Sequence, residues 1–210
     1  MTSLHYDPLF NDMPIQEEFL PMVTVYLDAL QKALENALDD YPRVVAIRFD
    51  LNLPITLSNQ MTVENHKKLI PRFTASLKAI IKHDIKRRRK SNWVPDTKVR
   101  IVWAREVGDD GKLHYHFFLI LNRGTYIVAG KAGSPDENLV SRISRALYSA
   151  LDIQWDPQTP LIHVPKKPTY WIDRDDPESF RRAFYRASYL CKADTKQYGQ
   201  GMRAFGASHS

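Results

Sequence analysis

Cysteine is nearly absent. Cys191 is the single one in 210 residues, so no disulfide framework and no Cys-rich zinc knuckle can form, and a reducing cytoplasm is the expected setting. No stretch approaches about eighteen uninterrupted apolar residues. The first twenty residues also lack a basic start followed by an apolar run, so neither membrane insertion nor export is expected. Low-complexity tracts and repeats are missing, which argues against disordered, fibrous and solenoid architectures. There is no G-x-x-x-x-G-K-[ST] segment and no obvious helix-turn-helix, so neither a nucleotide-driven motor nor a separate DNA-reading module is expected. What remains, 43% hydrophobic and 26% charged residues, describes one soluble domain with enough length for a core.

The formal net charge of +6 is unevenly placed. Residues 1–60 hold 3 Lys and Arg against 9 Asp and Glu, while residues 61–210 hold 27 against 15. Within the basic body, Lys82 to Lys90 (KHDIKRRRK) and Arg181 to Arg203 each carry six cations and one acid. Two basic patches point to a polyanionic partner, against the plainer alternative of solvated or salt-bridged surface.

Hydrophobic spacing orders the elements. Tyr26 to Leu38 repeats at helical period up to Tyr41-Pro42. Val45, Ile47, Phe49, Leu51 and Leu53 alternate with Ala46, Arg48, Asp50 and Asn52, predicting a half-buried strand. A second helix is expected from Thr62 to about Lys86, bent or restarted at Pro71. Lys98 to Val107 and Leu113 to Asn122 read as a hairpin around Gly108, Asp109, Asp110 and Gly111. A helix follows over about 137–151, then one or two short edge strands between Leu161 and Ile172. Asp175-Asp176-Pro177-Glu178 starts a last helix running to about Lys196. This order predicts an α+β fold: a central antiparallel sheet of about five strands covered by helices, in one compact domain. Residues 1–42 form an acidic helical segment packed on the core, and residues 43–210 form the main body.

His114-Tyr115-His116 lies on the second hairpin strand, where alternation projects both imidazoles from one face, near enough to share a metal ion. With 7 His in 210 residues such a pair arises about 0.2 times by chance, so a further ligand is needed. Glu106 on the neighbouring strand is the candidate, with Asp50 in reserve. A three-residue loop of Asp109, Asp110 and Gly111 sets Glu106 opposite His114 on the ligand face; a two-residue turn points it away. Two imidazoles with a carboxylate suit Mg²⁺ or Mn²⁺, and Zn²⁺ is also compatible. The plainer alternative is a pair of hydrogen-bonded core histidines.

The last helix spells Tyr185-x3-Tyr189-x2-Lys192, with Lys196 beyond. At helical spacing 185, 189, 192 and 196 form one stripe, opposite an apolar stripe of Phe180, Phe184, Ala187 and Cys191. A phenol with pKa near 10 is a poor nucleophile at neutral pH, and adjacent cations favour its phenolate. Beside a metal that polarises a phosphodiester oxygen, such a phenolate is suited to in-line attack on phosphorus. The alternative is two amphipathic tyrosines flanked by solvated lysines.

These residues resemble the HUH endonucleases, the nick-and-join initiators of rolling-circle replication and conjugative transfer. LHYHFFLIL with Glu106 resembles their metal motif, and YRASYLCK their two-tyrosine motif. The chain is more specifically similar to the inovirus replication-initiator-like family, also called the YagK/YfjJ C-terminal domain family. The matching stretches are RVVAIRFDL (Arg43 to Leu51), WAREVGDDGKLHYHFFLILN (Trp103 to Asn122), RASYLCKADTK (Arg186 to Lys196) and RAFGAS (Arg203 to Ser208). The resemblance implies a five-stranded antiparallel sheet with the His pair on a central strand. It further implies metal-dependent, site-specific nicking and joining of single-stranded DNA through a 5′-phosphotyrosine, initiating rolling-circle replication of a phage, prophage or plasmid. On this reading Tyr189 is the principal nucleophile, Tyr185 the second, and Lys192 their activator. His114, His116 and Glu106 hold a divalent Mg²⁺ or Mn²⁺.

For DNA contact the candidates are Arg186, Lys196 and Arg203 near the chemistry, Lys86, Arg87, Arg88 and Arg89 for duplex or hairpin phosphates, and Arg48 and Asn52 on the polar strand face. Exposed Trp93, Trp155, Tyr170 or Trp171 would stack on unpaired bases. The partners expected are single-stranded or hairpin origin DNA and a host helicase, with no membrane. The rival reading is a DNA-binding regulator that keeps the fold without cleavage.

Overall fold

Alternating apolar side chains build strand β1 (Arg43–Asn52). Its Val45, Ile47, Phe49 and Leu51 point to one face, as the two-residue strand period requires. Strand β2 (Arg100–Val107) pairs antiparallel with β3 (Leu113–Asn122), and β3 pairs antiparallel with β1. Two short strands, β4 (Ile162–His163) and β5 (Thr169–Asp173), both pair with the outer edge of β1, and β6 (Phe205–Ala207) closes the far side on β2. The order is therefore β6-β2-β3-β1-β4 with β5 also beside β1: a six-stranded antiparallel sheet with flanking helices, one strand more than the expected five. The computed structural model describes residues 3–108, 113–130, 137–156, 161–196 and 201–208. The expected turn residues Asp109, Asp110 and Gly111 lie outside these.

Helices cover both faces. On one, α2 (Val63–Arg88) and α3 (Leu139–Leu151) place Phe73, Leu77, Ile143 and Leu147 against Phe49 and Phe117 of the sheet. Each such side chain, removed from water, contributes about 1.5–3 kcal/mol. Thr62 caps α2 with a reciprocal bond to Asn65, and the helix continues through the exposed Pro71 without restarting. Leu69 and Phe73, buried on either side of the proline, hold both halves to the same core.

On the other face, α1 (Thr24–Asp40) and α4 (Pro177–Ser188) set Leu27, Leu30, Leu34 and Phe184 over Val44, Ala46, Phe118 and Ile120. Phe10, Met13, Ile15 and Met22 of the N-terminal arm join this cluster. Strand β1 is consequently buried on both faces, with Ala46 and Arg48 covered as completely as Ile47, so the expectation of a half-buried strand is corrected. Asp176 caps α4 by accepting from the Ser179 amide at 3.2 Å, with Pro177 in the first turn.

The end of α4 differs from expectation and matters for the site. The helix stops at Ser188 instead of running to Lys196, and the chain continues as a 3-10 turn over Tyr189–Cys191. The cause is the N-terminal arm. Gln16 Nε2 donates to the last-turn carbonyls of Tyr185 and Arg186 at 2.9 and 3.1 Å. The Gln16 amide donates to Ser188 Oγ at 3.1 Å, so the helix end is satisfied by the arm and not by further helix. Beyond it, the Ala193 amide donates to the Pro21 carbonyl at 2.9 Å, and Met22 bridges Lys192, strapping the segment in place.

Candidate active site

The hairpin register decides the first question. Glu106 stands directly opposite His114, and Ala104 opposite His116. On the other side of β3, Asn52 faces His114 and Asp50 faces His116. Because opposed residues share a face, Glu106, His114, His116, Asp50, Asn52 and Arg48 all project toward α1 and α4. The intervening Tyr115 points the opposite way, into the α2 core.

On that face His116 is the hub. Its Nδ1 lies 2.7 Å from Asp50 Oδ1, and its Nε2 lies 3.3 Å from Glu106 Oε2. Burial pushes the Asp50 carboxyl up, but the bond to His116 and the charge of Arg48 outweigh this and hold it at about 2. Arg48, 3% exposed, pairs with Asp50 at 2.7 Å while its guanidinium lies 5.2 Å from the Tyr189 ring centroid. Arg48 Nη1 is buried with no hydrogen-bond partner among the described residues. His114 Nδ1 sits 3.1 Å from Asn52 Oδ1, and His163 Nδ1 3.4 Å from Asp50 Oδ2.

The chain after α4 delivers the phenol and two ammonium groups. The Tyr189 ring meets His116 edge-on with centroids 5.2 Å apart, and packs against Phe19 of the N-terminal arm at 4.8 Å. Lys192 Nζ donates to Tyr189 Oη at 3.0 Å and lies 2.9 Å from Glu106 Oε2. Lys196 Nζ, in a fully covered side chain, takes the other Glu106 oxygen at 2.6 Å. Burial opposes ionisation of Glu106, yet His116, Lys196 and Lys192 hold its carboxyl well below the usual range. The two lysines diverge: burial lowers Lys196 despite Glu106, whereas Glu106 and Tyr189 outweigh burial and raise Lys192.

The structure therefore joins Tyr189, Lys192, Glu106 and His116 in one chain of contacts, with Asp50 and Arg48 behind. Tyr185 does not enter it. It is 39% exposed, and among the described residues its hydroxyl makes no hydrogen bond. The DNA-contact candidates fall in different settings. Arg48 and Lys196 are buried in ion pairs and face carboxylates instead of solvent. In the basic run, Arg87 and Arg88 pair with Asp84, and Arg89 with Asp96, which leaves Lys86 as the exposed cation of the four with no ion pair among the described residues. Arg203 and Asn52 are exposed and Arg186 is half-buried. Trp93 is 87% exposed, whereas Trp171 is tied through its indole N–H to the Ile127 carbonyl at 2.7 Å. Cys191 is fully buried, with its thiol pushed up by that burial.

Among the described residues no three His, Cys, Asp or Glu side chains form a ready metal-holding group. Two of the three expected ligands nevertheless fit one. Asp50 Oδ1 stands against His116 Nδ1, the usual carboxylate-to-histidine support of a metal ligand, with Arg48 Nη2 3.0 Å from the same nitrogen. That leaves His116 Nε2 facing Glu106 Oε2 at 3.3 Å. Two ligands at about 2.1 Å from one cation lie about 3.0–3.4 Å apart. His114 is held by Asn52 at Nδ1, so Nε2 is the ring nitrogen it would offer.

A model of the YagK/YfjJ C-terminal domain matches residues 7–208. The chain belongs to the YagK/YfjJ C-terminal domain family. Two uncharacterized proteins of Escherichia coli (strain K12) are similar along nearly their whole length. YagK is 32% identical, covering 87% of this chain and 91% of its own. YfjJ is 32% identical, covering 93% of this chain and 99% of its own. No solved structure matches. The family region takes in every residue of the cluster around His116. Among the described residues no helix is long and apolar enough to cross a membrane.

Two parts of the site escaped the sequence reading. The lysine clamp on Glu106 depends on Thr195, at φ 63°, turning the chain back toward β2. Gln16 and Phe19, which hold the Tyr189 segment, lie in the N-terminal arm, whose short elements have no usable period.

Proposed function

We propose that this protein is an HUH-type endonuclease and strand transferase that nicks and rejoins single-stranded DNA at a specific site through a 5′-phosphotyrosine on Tyr189. The observation that carries the reading is the continuous contact from Tyr189 Oη through Lys192 Nζ to Glu106 and His116, at 3.0, 2.9 and 3.3 Å. Glu106 on the His face, and a tyrosine ring against His116, are what a cleaving site requires and a purely DNA-binding relative does not.

Tyr189 reacts as the phenolate after giving its proton to solvent, and the adjacent Lys192 ammonium holds that charge in place. The phenolate oxygen attacks phosphorus in line, the bond from phosphorus to the 3′-oxygen breaks, and the leaving oxygen takes a proton from solvent. The 5′-phosphate is then esterified to Tyr189. In rejoining, a 3′-hydroxyl attacks that phosphorus, loses its proton, and Tyr189 departs. Arg48, Lys192 and Lys196 outnumber Asp50 and Glu106, so the cluster favours a phosphodiester anion, and the unpartnered Arg48 Nη1 supplies a buried donor for a phosphate oxygen. His116 and Glu106, with His114, would hold Mg²⁺ or Mn²⁺, which when bound polarises a non-bridging phosphate oxygen. Tyr185, exposed one turn earlier, is the acceptor for a second transfer. The biological setting is initiation of rolling-circle replication on a phage, prophage or plasmid, with a host helicase opening the duplex.

Incubation with Mn²⁺ and single-stranded origin DNA from the replicon carrying the gene should yield a covalent protein–DNA adduct. The adduct should be absent from Tyr189→Phe and present in Tyr185→Phe. An adduct that survives in the Tyr185/Tyr189 double substitution would overturn the reading. One observation favours the rival reading, a DNA-binding regulator: both Glu106 oxygens are already held by lysines. Origin binding with no adduct in any divalent metal would establish the regulator instead.

A further inference from the structure

Behind the catalytic hairpin, on the opposite sheet face, lies a cavity of about 390 Å³ between β2, β6 and the first turns of α2. Its size falls in the range of small-molecule sites. The floor is Arg105, 3% exposed, with Tyr115 and His66, whose phenol and imidazole Nδ1 lie 2.8 Å apart. Trp103 forms a wall, and the exposed Lys67 and Arg203 stand at the mouth. Among the described residues three cations line the cavity and no carboxylate does, with Arg105 Nε donating to the Arg203 carbonyl at 3.2 Å, so a negatively charged occupant is favoured. The aromatic wall is fixed in place. Gly206 faces Trp103 across the ladder, and a Cβ there would lie 2.6 Å from the indole Nε1, so the ring rests directly on the glycine backbone.

We infer that this cavity binds a single nucleotide, the base against Trp103 and Tyr115 and the phosphate on Lys67, Arg105 and Arg203. Base-on-aromatic contact with adjacent cations is the general means of holding nucleotides without a sequence code. The cavity is distinct from the cleavage site, yet shares its strands: Arg105 precedes Glu106, and Tyr115 separates His114 from His116. Two sources offer this chemistry, a free mononucleotide and an unpaired nucleotide of a bound strand. The inference does not rest on strand cleavage.

The test is calorimetric titration of the full chain with each of the four deoxynucleoside 5′-monophosphates, and with 2-deoxyribose 5-phosphate as the base-free probe. Nucleotide binding should weaken about tenfold or more in Lys67→Ala and in Arg203→Ala, each the loss of one charge-assisted contact. The base-free probe should also bind about tenfold or more weakly than the best nucleotide. Lys68→Ala, on the neighbouring exposed position paired with Glu64, should bind as the parent does. An oligonucleotide that displaces the mononucleotide identifies the strand as the source; one that binds without displacement identifies the free nucleotide. Tyr189→Phe should retain nucleotide binding, so failure of the cleavage reading leaves this result untouched. No binding of any mononucleotide, or unchanged affinity in both Lys67→Ala and Arg203→Ala, overturns the inference.

Discussion

Replacing Glu106 with glutamine tests the charge arrangement on which the site depends. The side chain is 4% exposed and holds Lys192 and Lys196, which are 7% and 8% exposed. Glutamine keeps the shape and one carbonyl acceptor but removes the charge, leaving two buried ammonium groups without a counter-ion. Breaking a buried pair in this way costs about 3–5 kcal/mol. The loss has a ceiling, because a lysine that cannot be solvated deprotonates instead. From an ordinary pKa near 10.4 to about pH 7, that route costs about 5 kcal/mol per lysine. The ceiling carries its own signature. A lysine neutral in the folded state but charged in the unfolded one makes stability rise by about 1.4 kcal/mol per pH unit. Urea unfolding of the parent and Glu106→Gln at about pH 7, 8 and 9 should therefore show a gap that narrows as pH rises. Adding Lys196→Met to Glu106→Gln should recover part of the loss. A gap below about 1 kcal/mol, or one parallel at every pH, would refute the reasoning.

Other predictions follow from the same contacts. Asp50, held at about 2 against 3.8 in the unfolded chain, contributes about 2 kcal/mol above about pH 4. That stabilisation disappears as pH falls toward 2, so thermal midpoints of the parent and Asp50→Asn should converge in acid. Lys192→Met should slow adduct formation by about 10² and move its optimum to higher pH, with partial recovery in Lys192→Arg. Gln16→Ala strips two donors from the end of α4 and should cost about 1–3 kcal/mol. Hydrogen exchange should then quicken at the amides of Tyr189 to Lys192, and unchanged exchange there would mean that the arm does not hold the segment.

Much of the fold was readable where a single period governed a whole element. The alternation in β1 and the hairpin, and the Asp176-Pro177 start of α4, appear where spacing puts them. The alternation also placed both histidines on one face, whereas the face of Glu106 hung on the loop length and is settled by the register, which sets it opposite His114. What spacing could not show was long-range capture. Helical period extends naturally from Tyr185 to Lys196, but Gln16, nearly the whole chain away, ends the helix at Ser188. The same limit explains Arg48 and Lys196. Each reads as a surface cation, yet Arg48 is buried against Asp50 of its own strand by the arm and helices that cover that face, and Lys196 is carried back to Glu106. In the basic run after Lys82 the salt-bridged alternative holds for the arginines, since Asp84 sits within it and Asp96 and Glu137 fold back onto them.

The central claim is that Tyr189 is the nucleophile of one site shared with Lys192, Glu106 and His116. It is tested most directly by digesting the protein after reaction with Mn²⁺ and single-stranded origin DNA, and locating the nucleotide-bearing residue by mass spectrometry. The account predicts a 5′-phosphate on Tyr189, lost in His116→Ala. A 5′-phosphate carried by another residue with Tyr189 unmodified, or a full yield of adduct without His116, would contradict it.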